Sequence, residues 1–177
     1  MTGDEAEFHK WDDKLGFYTP VLKGFLTELS LESAKHGMQI YGGHGYIKEW
    51  GMEQIARDAR IGTLYEGTTG VQALDLLGRK VLIQSKGKLV LDYTANIMKW
   101  CSEYALDKGM RKFVWQLTKY CAEWNTLTTR IMLTARKDRE IVSAASDDYL
   151  MYSGYVIMGY HWARMAAIAY DKLKNGG

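Results

Sequence analysis

GMQIYGGHGYIKEWGMEQIARDARIGTLYEGTTGVQALDLLGRKVL, residues 37–82, holds a glycine-rich loop, a short helical pattern, a tight turn with one acid, and a second helical start. The loop, Gly42 to Gly51, follows a helix and not a strand. Its glycines therefore mark a helix stop, where a left-handed residue carries no steric penalty, and fit neither nucleotide-binding glycine motif. MEQIARDARI, residues 52–61, has the spacing of a short helix with Ile55, Ala59 and Ile61 on its inner face. After the turn a helix is expected from about Thr68, with Val71, Leu74, Leu77 and Val81 inward.

Upstream, Thr19-Pro20 reads as an N-cap followed by proline at the first helical position. Val21, Leu22, Phe25, Leu26, Leu29, Ala34 and Met38 then recur at helical spacing as far as Gly42-Gly43. Pro20 is the one proline of 177 residues. Little interrupts helices and strand-type alternation is missing, so the fold class is all-α, a helical bundle. SKGKLVLDY, residues 85–93, reads as a linker. Three longer helical patterns follow, near 89–104, 110–138 and 143–173. The second carries Phe113, Leu117, Cys121, Trp124, Leu127 and Ile131, and the third Tyr149, Tyr152, Val156, Gly159, Ala163, Ala167 and Tyr170. Short connections make these neighbours antiparallel. Two segments are expected: 1–86, and an extension over 87–177.

Composition excludes several function classes. The chain is 47% apolar and 25% charged with net charge +2, enough apolar content for a core and no footprint for nucleic acid. Two cysteines make no disulfide framework, and buried thiols in a reducing cytoplasm are the plainer reading. The first residues are polar and acidic, unlike a signal peptide, and the apolar stretch 153–170 is interrupted by His161 and Arg164. His9, His36, His44 and His161 lack ligand-type spacing, so no metal site is expected. These readings place the protein in the cytoplasm.

Glu66 is the residue with chemical promise. Its plain reading is a solvated turn acid made mildly favourable by the following helix dipole, worth about 0.3–1 kcal/mol. The functional reading starts from its neighbours. Gly67 lets another molecule approach the backbone, Tyr65 offers an aromatic wall, and Thr68 caps the next helix. An acid walled by apolar groups has its pKa pushed up, which suits a general base. One carboxylate without a second acid or a histidine suits proton abstraction better than hydrolysis.

Gln39 with Gly42-Gly43, Gly45-Tyr46, Glu53, Arg57-Asp58-Ala59, Tyr65-Glu66-Gly67-Thr68 and Gln72 stand in one order and spacing. Together they resemble the C-terminal helical region of acyl-CoA dehydrogenases, over roughly residues 18–84. The wording GGHGYIKEWGMEQ is most similar to the longer, 3-methylthiopropanoyl-CoA dehydrogenase-like branch, whose extra C-terminal helical domain matches 87–177 in placement and helical character. The resemblance implies α,β-dehydrogenation of an acyl-CoA thioester, as in fatty acid metabolism, with FAD taking the β-hydride. It implies Glu66 as the base that removes the α-proton, with Tyr65 and Gly67 against the substrate and the Gly67 N–H a donor to the thioester carbonyl. Thr68 and Gly70 would contact FAD, and Gln39, Gly42 and Gly43 would touch the adenosine part of an FAD held by a neighbouring subunit. Arg57-Asp58 is expected to make a structural ion pair.

Gly70 stands where many relatives carry a polar side chain, so a flavin contact there comes from backbone alone. The N-terminal helical domain and the β-domain of relatives have no counterpart here. The chain therefore reads as a C-terminal fragment or subunit, inactive alone, whose partners are the missing domains on the same or another chain. A half-bundle exposes an apolar face, so a homo-oligomer is expected. The alternative reading is a non-catalytic helical assembly or binding module, which Trp100, Trp115, Trp124, Trp162 and many tyrosines support if they form an exposed patch. Their helical spacing favours core.

Overall fold

A computed structural model describes residues 5–174. The outer ends of both expected segments lie outside that range. The helices are α1 (Glu5–Pro20), α2 (Leu26–Ile40), α3 (Met52–Ile61), α4 (Thr69–Leu74), α5 (Lys88–Glu103), α6 (Arg111–Thr134) and α7 (Glu140–Lys174), and no strand occurs among the described residues. The fold is the all-α bundle that the lack of helix breakers predicts.

Pro20 does not open a helix. It ends α1, and a π-turn over Val21–Phe25 carries the chain without a break into α2. Thr19 accordingly is no cap, and its hydroxyl donates back to the Leu15 carbonyl at 2.8 Å. Proline lacks the N–H that would bond four residues back, and its ring crowds the carbonyl there. A widened turn absorbs both effects within a continuing helix, as such bulges commonly do.

α2 stops as expected. Gly42 takes φ +59°, two 3₁₀ turns fill Gly42–Tyr46 and Lys48–Trp50, and Gly51 at φ +73° leads into α3. α3 runs back along α2, yet not on the expected face. Met52, Ala56 and Ala59 are half-buried, and the Met52 methyl lies 2.7 Å from where a Cβ on Gly37 would sit. Ile55 and Ile61 are 54% and 53% exposed. Ile55 is one residue out of phase with the half-buried set, which turns it about 100° away.

α4 continues as a π-helix over Asp75–Gln84. That winding moves its buried set to Ala73, Leu76, Leu77 and Val81, and leaves Val71 and Leu74 at 56% and 43% exposure. The change of winding is invisible to a 3.6-residue count.

Ser85 to Gly87 form a tight turn with left-handed Lys86 and Gly87, and α5, α6 and α7 follow at nearly the expected places. α6 ends at Thr134 and α7 begins at Glu140, earlier than expected, because the Asp138 carboxylate accepts the Glu140 N–H at 2.9 Å and starts the new helix. On α7 the expected inner positions Tyr149, Val156, Ala163 and Ala167 are buried. On α6 Leu117, Cys121 and Trp124 are buried, whereas Phe113 and Leu127 are 45% and 38% exposed, with Val114 and Thr128 in their stead.

One core unites the chain. Phe17 and Tyr93 pack against Trp124 with ring centroids 6.2 and 6.1 Å away, and Tyr149 lies 6.5 Å beyond. These rings tie α1 to α5, α6 and α7. Of the other tryptophans of the extension, Trp100 is half-buried while Trp115 and Trp162 are 64% and 65% exposed. The core reading therefore holds for Trp124 and in part for Trp100.

Candidate active-site turn

The turn between α3 and α4 begins with tight local closure. The amides of Thr63 and Leu64 donate to the carbonyls of Arg60 and Ile61 at 3.1 and 3.0 Å, and Tyr65 N–H reaches Ile61 at 3.4 Å. Thr63 is only 2% exposed. Its hydroxyl donates to the Arg60 carbonyl at 3.0 Å and accepts from Arg60 Nη1 at 2.5 Å.

Two consecutive left-handed residues then present the acid: Glu66 at φ +52° and Gly67 at φ +92°. Gly67 suits this region, but a glutamate there is uncommon and stores strain of about 1–3 kcal/mol. The neighbours hold it. The Gln72 amide donates to the Glu66 carbonyl at 3.4 Å. A Cβ on Gly67 would come within 2.5 Å of that amide nitrogen, so the space Gly67 leaves is filled by Gln72.

Thr68 caps α4 as the sequence predicts. Its backbone is extended, its Oγ1 accepts the Val71 N–H at 3.4 Å, and its carbonyl accepts the Gln72 N–H at 3.0 Å. Thr69 donates to Glu28 Oε1 on α2 at 2.6 Å, and Lys23 Nζ donates to the Gly62 carbonyl at 2.6 Å. Opposite Gly70, Asp147 Oδ1 of α7 lies 3.9 Å from where a Cβ would be.

The Glu66 side chain is exposed and makes no hydrogen bond among the described residues, and Tyr65 is 52% exposed. Among the described residues no apolar walls desolvate the acid. Surface grooves of about 600, 610 and 450 Å³ indent the described residues, and Glu66 lines none of these three.

Gln39, Gly42 and Gly43 are exposed at the far end of α2 from Glu28, about 16 Å away along the helix axis. The structure therefore does not gather them with Thr68 and Gly70. A Cβ on either Gly42 or Gly43 would meet nothing within 4 Å, so that backbone is open to an incoming molecule. His44 packs edge-on against Trp50 at 5.3 Å. Arg57 and Asp58 form no ion pair among the described residues. Asp58 accepts from Gln54 at 2.7 Å one helical turn back, since adjacent helical side chains diverge by about 100°. No cluster of three metal-ligating side chains occurs among the described residues.

Sequence reading missed Lys23, Glu28 and Asp147. All three reach the turn from elsewhere in the chain, and only the expectation that α2, α4 and α7 are neighbours could have suggested them.

Residues 5–82 match the family model described as acyl-CoA dehydrogenase, C-terminal domain, and residues 93–177 match the one described as acetyl-CoA dehydrogenase C-terminal like. The chain belongs to the acyl-CoA dehydrogenase family, in its C-terminal helical part. It is 37% identical to the 3-methylmercaptopropionyl-CoA dehydrogenase of Ruegeria pomeroyi over 91% of this chain and 27% of that protein. It is 29% identical to the broad-specificity linear acyl-CoA dehydrogenase of Mycobacterium tuberculosis over 89% of this chain and 26% of that one. An acyl-CoA dehydrogenase of Bacillus subtilis is 35% identical over 39% of this chain and 18% of its own length. The chain thus spans about a quarter of the length of the Ruegeria and Mycobacterium dehydrogenases. No helix among the described residues is long and apolar enough to cross a membrane.

Proposed function

We propose that this chain supplies the base-bearing helical part of an FAD-dependent acyl-CoA dehydrogenase, with Glu66 as the group that takes the α-proton of the thioester. The observation that carries the reading is the held left-handed pair Glu66-Gly67, in a chain of that family. A non-glycine residue kept at positive φ by a side-chain amide is an arrangement that needs a reason. Presentation of a carboxylate to a molecule lying on the glycine backbone is one.

The α C–H bond breaks, the proton passes to a Glu66 carboxylate oxygen, and the electron pair delocalises onto the thioester carbonyl. A backbone N–H at Gly67 is the donor we assign to that oxygen, where it meets charge as it develops. Tyr65 stands beside the base as a wall for the substrate. FAD, when bound, supplies the two-electron acceptor that α,β-dehydrogenation requires. The residues fit such a group in two places: the open backbone at Gly42 and Gly43 with Gln39, and the α4 start at Thr68 and Gly70. They adjoin opposite ends of α2, which suits contact with the cofactors of two subunits, so we propose a homo-oligomer. We further assign residues 1–86 and 87–177 as the catalytic-region helices and the extension. The exposed carboxylate acquires its desolvated surroundings from the domains that complete the enzyme, on the same or another chain. We place the assembly in the cytoplasm.

Glu66→Gln in the dehydrogenase containing this chain tests the proposal. The loss of a general base lowers turnover by at least about a hundredfold while flavin stays bound. Turnover retained above a few per cent refutes Glu66 as the base.

A second reading is a non-catalytic assembly module. Tyr120, Tyr152 and Tyr155 line an apolar groove of about 450 Å³ between α6 and α7, and Tyr155 is 54% exposed. A dehydrogenase whose turnover is untouched by Glu66→Gln, yet lost when α7 is truncated, would favour it.

A further inference from the structure

Lys23 lies in the π-turn Val21–Phe25, on no motif that points to the chemistry. It is half-buried, and its Nζ donates to the Gly62 carbonyl at 2.6 Å. The same ammonium sits 5.4 Å from the centroid of the Tyr65 ring. Gly62 is the C-terminal cap of α3, and Tyr65 is the residue immediately before Glu66.

We infer that Lys23 is the positioning residue of the Glu66 turn, an inference that rests on reading Glu66 as the base. A helix C-terminus carries orphan carbonyls and partial negative charge, and a lysine from a neighbouring helix satisfies both at once. The second contact, to the face of Tyr65, is a cation–π interaction. Lys23 therefore grips the turn three residues apart, ahead of the strained Glu66. Gln72 and Thr69 fasten the same turn from its far side, by the bonds to the Glu66 carbonyl and to Glu28. The π-turn after Pro20 matters here because an extra residue per turn sets the direction in which Lys23 leaves the helix. Close beside it, Thr27 lies 3.4 Å from the Cβ position of Gly62, so α2 meets the turn along one face.

Lys23→Met keeps the apolar stem and removes the charge, while Lys23→Arg keeps a donor and a cation. The first readout is amide hydrogen exchange in this chain at Thr63, Leu64 and Tyr65, whose N–H groups are bonded in the turn. Lys23→Met raises exchange there about tenfold and leaves the peptide over 149–157 within about twofold, and Lys23→Arg restores most of the protection. In the complete dehydrogenase, Lys23→Met lowers kcat about tenfold with KM for the acyl-CoA within twofold, because a misplaced base slows chemistry without weakening binding. Unchanged exchange at residues 63–65, or a rise spread equally into 149–157, overturns the inference. So does a change confined to KM, or an arginine variant no better than methionine. Normal turnover in Glu66→Gln sinks the proposed base yet leaves the exchange result standing, so the two failures are distinguishable.

Discussion

Gly154→Ala tests whether α7 shares one core with the helices that precede Gly87. Gly154 faces Phe25, which is 1% exposed and sits in the π-turn beside Lys23. A Cβ at 154 would fall 2.2 Å from Phe25 Cγ and 2.3 Å from Cδ2, more than 1 Å inside contact distance. The ring cannot swing aside freely, because Tyr155 meets it edge-on at 5.0 Å. Either α7 or the π-turn must move. Overpacking of this kind costs about 1–3 kcal/mol, and alanine returns up to about 1 kcal/mol of helix propensity. The net loss of up to about 2 kcal/mol lowers the Tm of a chain this size by up to about 8 °C.

The control is on the same helix. At Gly159 a Cβ would lie 3.9 Å from Leu117, an ordinary contact, so Gly159→Ala raises the Tm by about 2–4 °C. Both variants are read by circular dichroism melts of the purified chain, with denaturant titration to separate a change in stability from a change in cooperativity. Phe25→Leu combined with Gly154→Ala closes the cycle, and the pair should be less destabilised than the sum by about 0.5–3 kcal/mol. A Gly154→Ala chain as stable as Gly159→Ala would refute the packing of α7 on the π-turn, and with it the shared core.

Burial, and secondarily Cys101, push the Cys121 thiol up to about 12, above its ordinary 9.0. The neutral form is the one the fold accepts, so this contribution is intact below pH 9 and fades as pH rises towards 12. Cys121→Val therefore flattens the alkaline fall of Tm over that window. The Lys174 ammonium bonded to Asp107, helped by the amides of Met110 and Gly109, holds that carboxyl below its ordinary 3.8. Stability from this group is present above pH 3.8 and lost as pH falls through the lowered value, and Asp107→Asn removes that acid-side slope in a pH series of melts. Acrylamide quenches Trp11, Trp50, Trp115 and Trp162, which are 54–65% exposed, but not Trp124. Trp124→Phe deletes most of the unquenched emission, leaving that of half-buried Trp100, and an unquenched fraction unchanged by the substitution refutes the burial of Trp124.

How much of this was legible depends on the range of the cause. The stop at Gly42, the helix of 52–61, the cap at Thr68 and the buried stripe Tyr149, Val156, Ala163 and Ala167 follow from local chemistry and from one regular period. The misreadings fall where the period changes. Thr19-Pro20 has the composition of a helix start, yet packing of the buried Pro20 keeps the helix running through a wider turn. Val71 and Leu74 look inward on a 3.6-residue count that the π-winding after Asp75 shifts. Lys23, Glu28 and Asp147 gave no signal, because each becomes part of the turn only when distant helices meet.

On the proposed role of Glu66 as base, its turn meets one of two requirements, direction and environment. Direction is provided: Glu66 is fixed at positive φ between anchors on Lys23, Glu28 and Gln72. Environment is not, since the carboxylate is exposed and lines none of the three grooves. A carboxylate open to water is a weak base for a carbon acid. Covering it with apolar surface raises its proton affinity and excludes water in the same step. The strain stored in the backbone is thus in place before the substrate and the covering domains arrive. In the assembly proposed above, those domains have only to desolvate the carboxylate, without reorienting it.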